Sequence, residues 1–586
     1  MRSTSIKSIA PSTSGSRLTR RAFMQHSIAA GALLAYPRHV LSKTAPVVHL
    51  DDEHRQQIET ALPVKPFVAP RQPRKLLIFD LNVGYPGHRS IPTANLAFKL
   101  MGKKTGAFDT VISSDPDIFQ PQNLKQFDAV FFNNNVGNLF TAPPLRQSLL
   151  EFVYGGGGLL GVHGTSVAFT RWPGAHEDWP EFGTMLGARG ACHHENTERV
   201  FIKIDDPEHP LTKHFTVNGF DYRDEFFRFH APYSRNRVRV LLSIDKEKND
   251  LQDKSKDHCF RQDRDYALAW VRNYGRGRVF YSTIAHNPDV FWDHRMLQFY
   301  LAATQFALGD LQAPTIPSAK LSPALRAQEA LGFRLGIEAY TFHKYTLFEA
   351  IDRTAQLGLA YMGGLSFQKV SKEIPVNFDP NLTDQQLKHI RLKLDSAGLR
   401  LLTYYIHRLP PEEAPCRKIF DFGRKIGIET FLSEPLPEAL DTIEKLCAEY
   451  EINVALHNHD QKTSPQYWHP ENIVKLCRGR SPRLGACGDL GYWMRSGIDP
   501  IQALRILKDR LITVQMHDLN ELAPNGHDVP WGTGVGKTRQ FIEEVQKLGI
   551  QPTMFGLEYS YNWYQSMPQI AQCIDFFNNL SLQLTR

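Results

Sequence analysis

From Phe333 to the end of this 586-residue chain, short apolar runs alternate eight times with longer stretches of helical character. The runs fall at 335–339, 361–365, 401–406, 430–433, 453–457, 484–487, 512–516 and 554–557. Runs this short and this apolar read as strands covered on both faces. Covered parallel strands need crossovers of a dozen or more residues, usually helices. Eight such units in roughly 250 residues is the size of a closed (β/α)8 barrel. The whole chain is too long for one hydrophobic core, so this barrel (333–586) is expected to be one domain of at least two.

In such a barrel the chemistry sits at the carboxyl ends of the strands. Strand four is followed by Glu434, strand five carries His457 and then His459, strand six runs on to Asp489, strand seven to His517 and strand eight to Glu558. Strand side chains alternate between faces, so parity decides which of these point inward. With Val454 and Leu456 toward the helices, His457 and His459 face in; Val514 and Met516 do the same for His517, and Phe555 and Leu557 for Glu558. Asp489 shares a face with the small Gly485 and Cys487, and Glu434 with Thr430. Five consecutive strands thus bring a carboxylate or imidazole to one rim. Glu434, His457, Asp489, His517 and Glu558 form a mixed donor set suited to a divalent Mn, Co, Fe or Zn ion.

The same residues lie in a set of motifs: Ser433-Glu434-Pro435, Ala455-Leu456-His457-Asn458-His459, Gly488-Asp489-Leu490-Gly491, Met516-His517-Asp518, Val529-Pro530-Trp531-Gly532-Thr533-Gly534 and Leu557-Glu558-Tyr559. With these, the chain from Phe333 onward resembles the sugar phosphate isomerase/epimerase family, whose fold is the xylose isomerase-like TIM barrel. The resemblance implies that Asp489, His517 and Glu558 hold a divalent metal. It departs at two places. His457 stands where many members carry a metal-binding Glu, and Tyr492 replaces the His of a common Asp-x-x-His. These departures shift the expectation from a plain sugar phosphate isomerase to an enzyme of keto-sugars or 3-keto-glycosides. A metal would polarise a hydroxy-carbonyl unit, and Glu558 or His459 would move the proton on the neighbouring carbon. Reprotonation makes an isomerase or epimerase; loss of a β-oxygen makes a lyase. His407, Tyr492, Arg495 and Trp531 are the expected sugar contacts.

Upstream, apolar runs at 75–79, 128–132 and 158–162 alternate with helical stretches, the rhythm of an open parallel sheet with helices on both faces. This segment (74–308) carries Gly87-His88, a glycine run from Gly155 ending in His163, His193-His194, His209-Pro210, Asp224-Glu225, Trp270 and His286. On these it resembles the ThuA-like (trehalose utilisation) family, which implies a doubly wound, glutamine amidotransferase-like fold. His163 stands where an amidotransferase presents its nucleophilic cysteine. Without that thiol there is no acyl-enzyme route, so the fold does not carry the activity. His88, His163, Glu225 and His286 are instead expected to line a sugar or metal pocket.

The flanks complete the organisation. Residues 309–332 hold three prolines and read as a linker; residues 44–73 are Pro-rich and read as an irregular tether. Thr19-Arg20-Arg21-Ala22-Phe23-Met24, followed by a mild apolar run, reads as a twin-arginine signal within 1–43, implying export to the periplasm. That segment holds seven basic residues and no acid, which leaves 61 basic against 61 acidic residues in the remainder. A neutral chain offers no phosphate-backbone surface, so no nucleic-acid partner is expected. No run approaches the roughly 18–20 apolar residues of a membrane span. The seven cysteines, without a CxxC, read as mostly buried thiols. The leading expectation is an exported, metal-dependent enzyme acting on a small sugar. The alternatives are a 3-keto-glycoside hydrolase using the ThuA-like domain, and a periplasmic sugar-binding protein. No oligomeric state follows from the sequence.

Overall fold

Strands in the N-terminal half are apolar on both faces where they lie in the middle of the sheet. The run Ala129–Asn133 is buried at every position, and so is Gly158–Val162, the pattern of strands sandwiched between helices. The computed structural model describes residues 50–171, 176–249 and 258–586, all within one compact unit. The twin-arginine stretch lies outside them. No helix among the described residues is long and apolar enough to cross a membrane.

The N-terminal sheet has nine strands: β1 (Lys75–Phe79), β2 (Asp109–Ser113), β3 (Ala129–Asn133), β4 (Gly158–Val162), β5 (Glu198–Ile204), β6 (Gly219–Asp224), β7 (Arg239–Ile244), β8 (Ala267–Tyr274) and β9 (Gly277–Ser282), in the order β2-β1-β3-β4-β9-β8-β7-β5-β6. The first five in that order are mutually parallel, whereas β8, β7, β5 and β6 pair antiparallel. The three runs read as an open parallel sheet are parallel, and the antiparallel strands beyond them make the whole sheet a mixed one. The tight turn at Gly275, in the left-handed region, sends β8 straight back as β9. A two-strand hairpin needs no crossover helix.

Three further expectations change. Residues 44–73 are not an irregular tether throughout. A helix spans Asp52–Ala61, capped by Asp51, and buries Ile58 in the domain core. Phe67 then donates its N–H to Gln305 Oε1 at 2.7 Å. The linker also contains a helix, Pro323–Leu331, capped by Ser322. Of the cysteines, five are free and buried, but Cys192 and Cys259 are joined as a disulfide, their Cα atoms 5.7 Å apart.

The C-terminal half is a closed barrel of eight parallel strands in chain order: β10 (Leu335–Ile337), β11 (Tyr361–Leu365), β12 (Arg400–Tyr405), β13 (Thr430–Ser433), β14 (Asn453–His457), β15 (Leu484–Asp489), β16 (Leu511–Met516) and β17 (Phe555–Leu557). Pairing of β17 with β10 closes it. The intervening helices carry clear start and stop signals. Thr346 with Glu349, and Thr383 with Gln386, form capping boxes. Gly398 and Gly427 end their helices in the left-handed conformation.

The two halves meet through the amino ends of their strands. On one side are Tyr154, just before β4, and the Gly275-Arg276 turn before β9. On the other are chain segments that lead into β12, β13 and β14. Arg276 Nη1 donates to the Tyr450 carbonyl at 3.0 Å. Gly427 packs on Gly275 and Tyr154. Arg272 and Arg237 both pair with Asp395 near the end of the helix before β12. The carboxyl ends of the two strand sets consequently point away from each other.

Candidate metal centre

The barrel rim gathers its polar residues from successive strand ends. Asp489 closes β15 and caps the next helix, Oδ1 accepting the Tyr492 N–H at 2.8 Å. Its backbone is clamped by Asn458, which accepts from Asp489 N at 2.9 Å and donates to Asp489 O at 3.1 Å. The other carboxylate oxygen, Oδ2, lies 3.7 Å from His517 Nε2. His517 Nε2 is also 3.9 Å from Glu558 Oε1. Asp489, His517 and Glu558 thus form one group of potential ligands, all buried.

The orientation of His517 is set from behind. Its Nδ1 lies 2.8 Å from Asp528 Oδ1. A carboxylate accepts, so Nδ1 carries the hydrogen and the neutral ring turns the lone pair of Nε2 toward Asp489 and Glu558. Asp528 is itself held by the Ser560 N–H at 2.9 Å. Asp489 Oδ2 and His517 Nε2 are sealed from solvent without a hydrogen-bond partner among the described residues. With the ring neutral these are two buried acceptors facing each other, a costly arrangement that either a proton on Nε2 or a divalent cation between them relieves. The residues therefore fit a divalent metal.

The electrostatics follow the crowding. Burial pushes the Glu558 carboxyl up to about 7, with Asp489 adding to the effect and His517 opposing it. Burial disfavours a charged His517, but Asp528 and Asp489 outweigh it and push the imidazole up to about 9. Burial would raise Asp489, yet His517 and His457 hold it down to about 2.

Glu434, His457 and His459 form a second, adjoining group. His459 Nδ1 is 2.6 Å from Glu434 Oε1. His457 bridges the groups, 3.6 Å from Glu434 through Nδ1 and 3.6 Å from Asp489 through Nε2. Its Nε2 also lies 2.5 Å from Gln515 Oε1. The five expected ligands thus do not make one shell. Glu434 pairs with His459 instead of joining Asp489, because the ends of β13 and β14 lie side by side.

The expected sugar contacts divide. Tyr492 stands edge-on to His459, ring centres 4.6 Å apart. His407 is exposed at the rim, 3.9 Å from Glu434 Oε1. Arg495 braces a loop, donating to the Gly526 carbonyl at 3.0 Å and approaching Asp528 at 3.8 Å. Trp531 does not face the rim cluster. It is 3% exposed and packs in the apolar core, 6.3 Å from Phe577, because Asp518 folds its loop inward by accepting the N–H groups of Gly532, Gly534 and Gly536.

Sequence reasoning passed over Glu338, Gln515 and Asp528. Glu338 ends β10 inside the barrel, 3% exposed, and accepts from Thr403 Oγ1 at 3.2 Å. Burial and the charge of Glu558 push it up to about 8. Its strands leave room by using glycine: a Cβ at Gly363 or Gly556 would collide with the Glu338 carboxylate. In the N-terminal domain, His88, His163 and His286 come together at the carboxyl edge of the sheet, with Glu225 Oε1 3.3 Å from His163 Nε2. Burial lowers His163 and takes His88 well below the ordinary imidazole value.

Residues 75–307 match the family model described as ThuA, trehalose utilisation, and residues 432–580 match that of the xylose isomerase-like TIM barrel. No curated protein matches the chain. A solved structure from Parabacteroides distasonis is 29% identical over 42% of this chain and 99% of its own, with a TM-score of 0.36. A ThuA-like protein from Bacteroides uniformis is 22% identical over 41% and 93%, with a TM-score of 0.33. A xylose isomerase domain protein from Planctomyces limnophilus is 14% identical over 43% and 99%, with a TM-score of 0.35. The chain joins a ThuA-like domain to a xylose isomerase-like TIM barrel.

Proposed function

We propose that this protein is a metal-dependent carbohydrate enzyme whose barrel abstracts a proton next to the carbonyl of a keto-sugar or 3-keto-glycoside. The observation that carries the reading is the buried, unpartnered pair of Asp489 Oδ2 and His517 Nε2 beside Glu558. These three residues would hold the ion, with His457 at their flank. The ion would supply polarisation of a hydroxy-carbonyl unit.

Everything else in the step belongs to the chain. Asp528 keeps the His517 lone pair aimed at the carboxylates. Glu434 anchors His459 through Nδ1, which leaves Nε2 to take and return a substrate proton. The His459 side chain is 19% exposed, so it can meet a ligand entering from the rim. Tyr492 packs against that imidazole and limits its rotation. Glu558, beside the ion, is the second proton carrier. Reprotonation of the substrate yields an isomer or epimer, and departure of a β-oxygen yields a cleaved glycoside. Export through the twin-arginine pathway belongs to the same proposal and rests on Arg20-Arg21.

The test is solvent deuterium exchange. Protein loaded with Mn, Co or Zn and given keto-sugars in D2O is expected to place deuterium on the carbon next to the carbonyl. Chelator treatment should abolish the exchange, and metal should restore it. Turnover without exchange would reject proton abstraction.

A further inference from the structure

The ThuA-like domain has its own convergence of imidazoles, and the barrel chemistry does not use it. His88 lies between β1 and the following helix, His163 ends β4, and His286 follows β9. All three therefore come from the carboxyl edge of the parallel strands, where open α/β sheets bind ligands. Their rings lie edge to face at 5.0–5.2 Å between centres. One ring nitrogen of each lies within 4.8 Å of the others. His163 is 0% exposed and His88 8%.

The hydrogen bonding shows where the lone pairs point. His163 Nδ1 is 2.9 Å from the Thr283 carbonyl. A carbonyl only accepts, so Nδ1 carries the hydrogen. In the neutral ring Nε2 then faces Glu225 Oε1 at 3.3 Å, acceptor against acceptor. His163 Nε2 and His88 Nδ1 are both buried without a hydrogen-bond partner among the described residues. Glu225 also reaches the third imidazole, its Oε2 3.7 Å from His286 Nε2. Behind this, Asp224 accepts the backbone N–H groups of His286 and Asn287 at 3.1 and 3.0 Å and fixes the loop that presents His286. His163 itself sits at φ 39°, in the left-handed region that non-glycine residues avoid. Such strain persists where surrounding structure enforces it, and it gathers at functional sites.

We propose that this edge of the ThuA-like domain is a second divalent-metal site, with His88, His163 and His286 as imidazole ligands and Glu225 as the carboxylate. Three nitrogens and one oxygen suit zinc and its first-row neighbours Mn, Fe and Co, and do not suit Mg or Ca. Solvent reaches the cluster past His193 and His286, whose side chains are 40% and 20% exposed. A small ligand reaching the ion would enter there. This site stands apart from the barrel reading and does not depend on it.

Calorimetric titration of the chelator-treated full-length protein with Zn2+ tests the proposal, and Co2+ absorption reports the donor set. The quantity read is the number of equivalents bound. His286→Gln, at a partly exposed position, is expected to bind one equivalent fewer than the parent. Glu225→Gln is expected to weaken the same equivalent by more than about tenfold. Both differences should recur in an Asp489→Asn/His517→Gln background, whatever the barrel binds there. Far-UV circular dichroism matched to the parent verifies folding of each variant. If both variants bind as many equivalents as their parents, with unchanged affinity, the site does not exist. A barrel-substituted protein that binds no ion overturns it equally, and the imidazoles are then a salt-bridged core.

Discussion

At the residue scale, the barrel site depends on a hydrogen bond that strand parity does not reveal. Alternation along β14, β16 and β17 brings out His457, His517 and Glu558 because a strand repeats every two residues. Glu338 obeys the same parity with Gly336 on β10 and was open to the same reasoning. Asp528 was not: it lies eleven residues beyond His517 in an irregular loop, and no periodic signal connects the two. Its consequence is measurable. Asp528→Ala should weaken metal binding in the barrel by about 10–100-fold, read by titration with Co2+ or Zn2+. An unchanged affinity would mean that His517 is oriented by something else. At the neighbouring group, His459→Gln is expected to lower kcat by about 10²–10⁴-fold with metal content preserved. A variant that loses the metal as well would place His459 among the ligands.

At the element scale, strand positions were far more legible than strand direction or loop structure. The eight barrel runs fall on the eight observed strands within two residues at their ends, because short, doubly covered strands are compact blocks of apolar residues. The N-terminal sheet shows the opposite. Its β5, β6, β7 and β8 run antiparallel to their neighbours, and apolar runs carry no mark of direction. The loop after β16 is likewise held by one side chain: Asp518 accepts three glycine N–H groups. Asp518→Ala should destabilise the protein by about 3 kcal/mol or more, measured by urea unfolding, and should loosen the segment that carries Asp528. Below the barrel, Glu429 sits between Arg334 and Arg400, 2.8 Å from each. Burial opposes its charge, but the two arginines hold its carboxyl down to about 2, from an ordinary 4.5. A depressed carboxyl contributes its stability above the unfolded value, so this contribution is complete above 4.5 and lost as pH falls toward 2. Glu429→Gln should flatten the acid limb of the unfolding midpoint across that window. An identical limb in the variant would show that the cluster contributes nothing there.

At the scale of the whole molecule, the contact between the halves is built from charges as well as apolar packing. Arg272 and Asp395 are each 5% exposed in their side chains and meet across it. Removing Arg272 leaves Asp395 only Arg237, at 3.5 Å, so the cost is below the ~3–5 kcal/mol of a fully orphaned buried charge. Arg272→Ala should therefore split thermal unfolding into two calorimetric transitions where the parent shows one. A single transition in the variant would mean that apolar packing alone couples the halves. Because the halves join by the amino ends of their strands, the two mouths open onto opposite sides of the molecule. One sugar cannot be gripped by both at once, and nothing handed from one to the other can travel inside the protein. Any intermediate must diffuse through bulk solvent, where a competing enzyme added in excess can intercept it. Covalent fusion here fixes the two sites in equal numbers without granting either a private supply line.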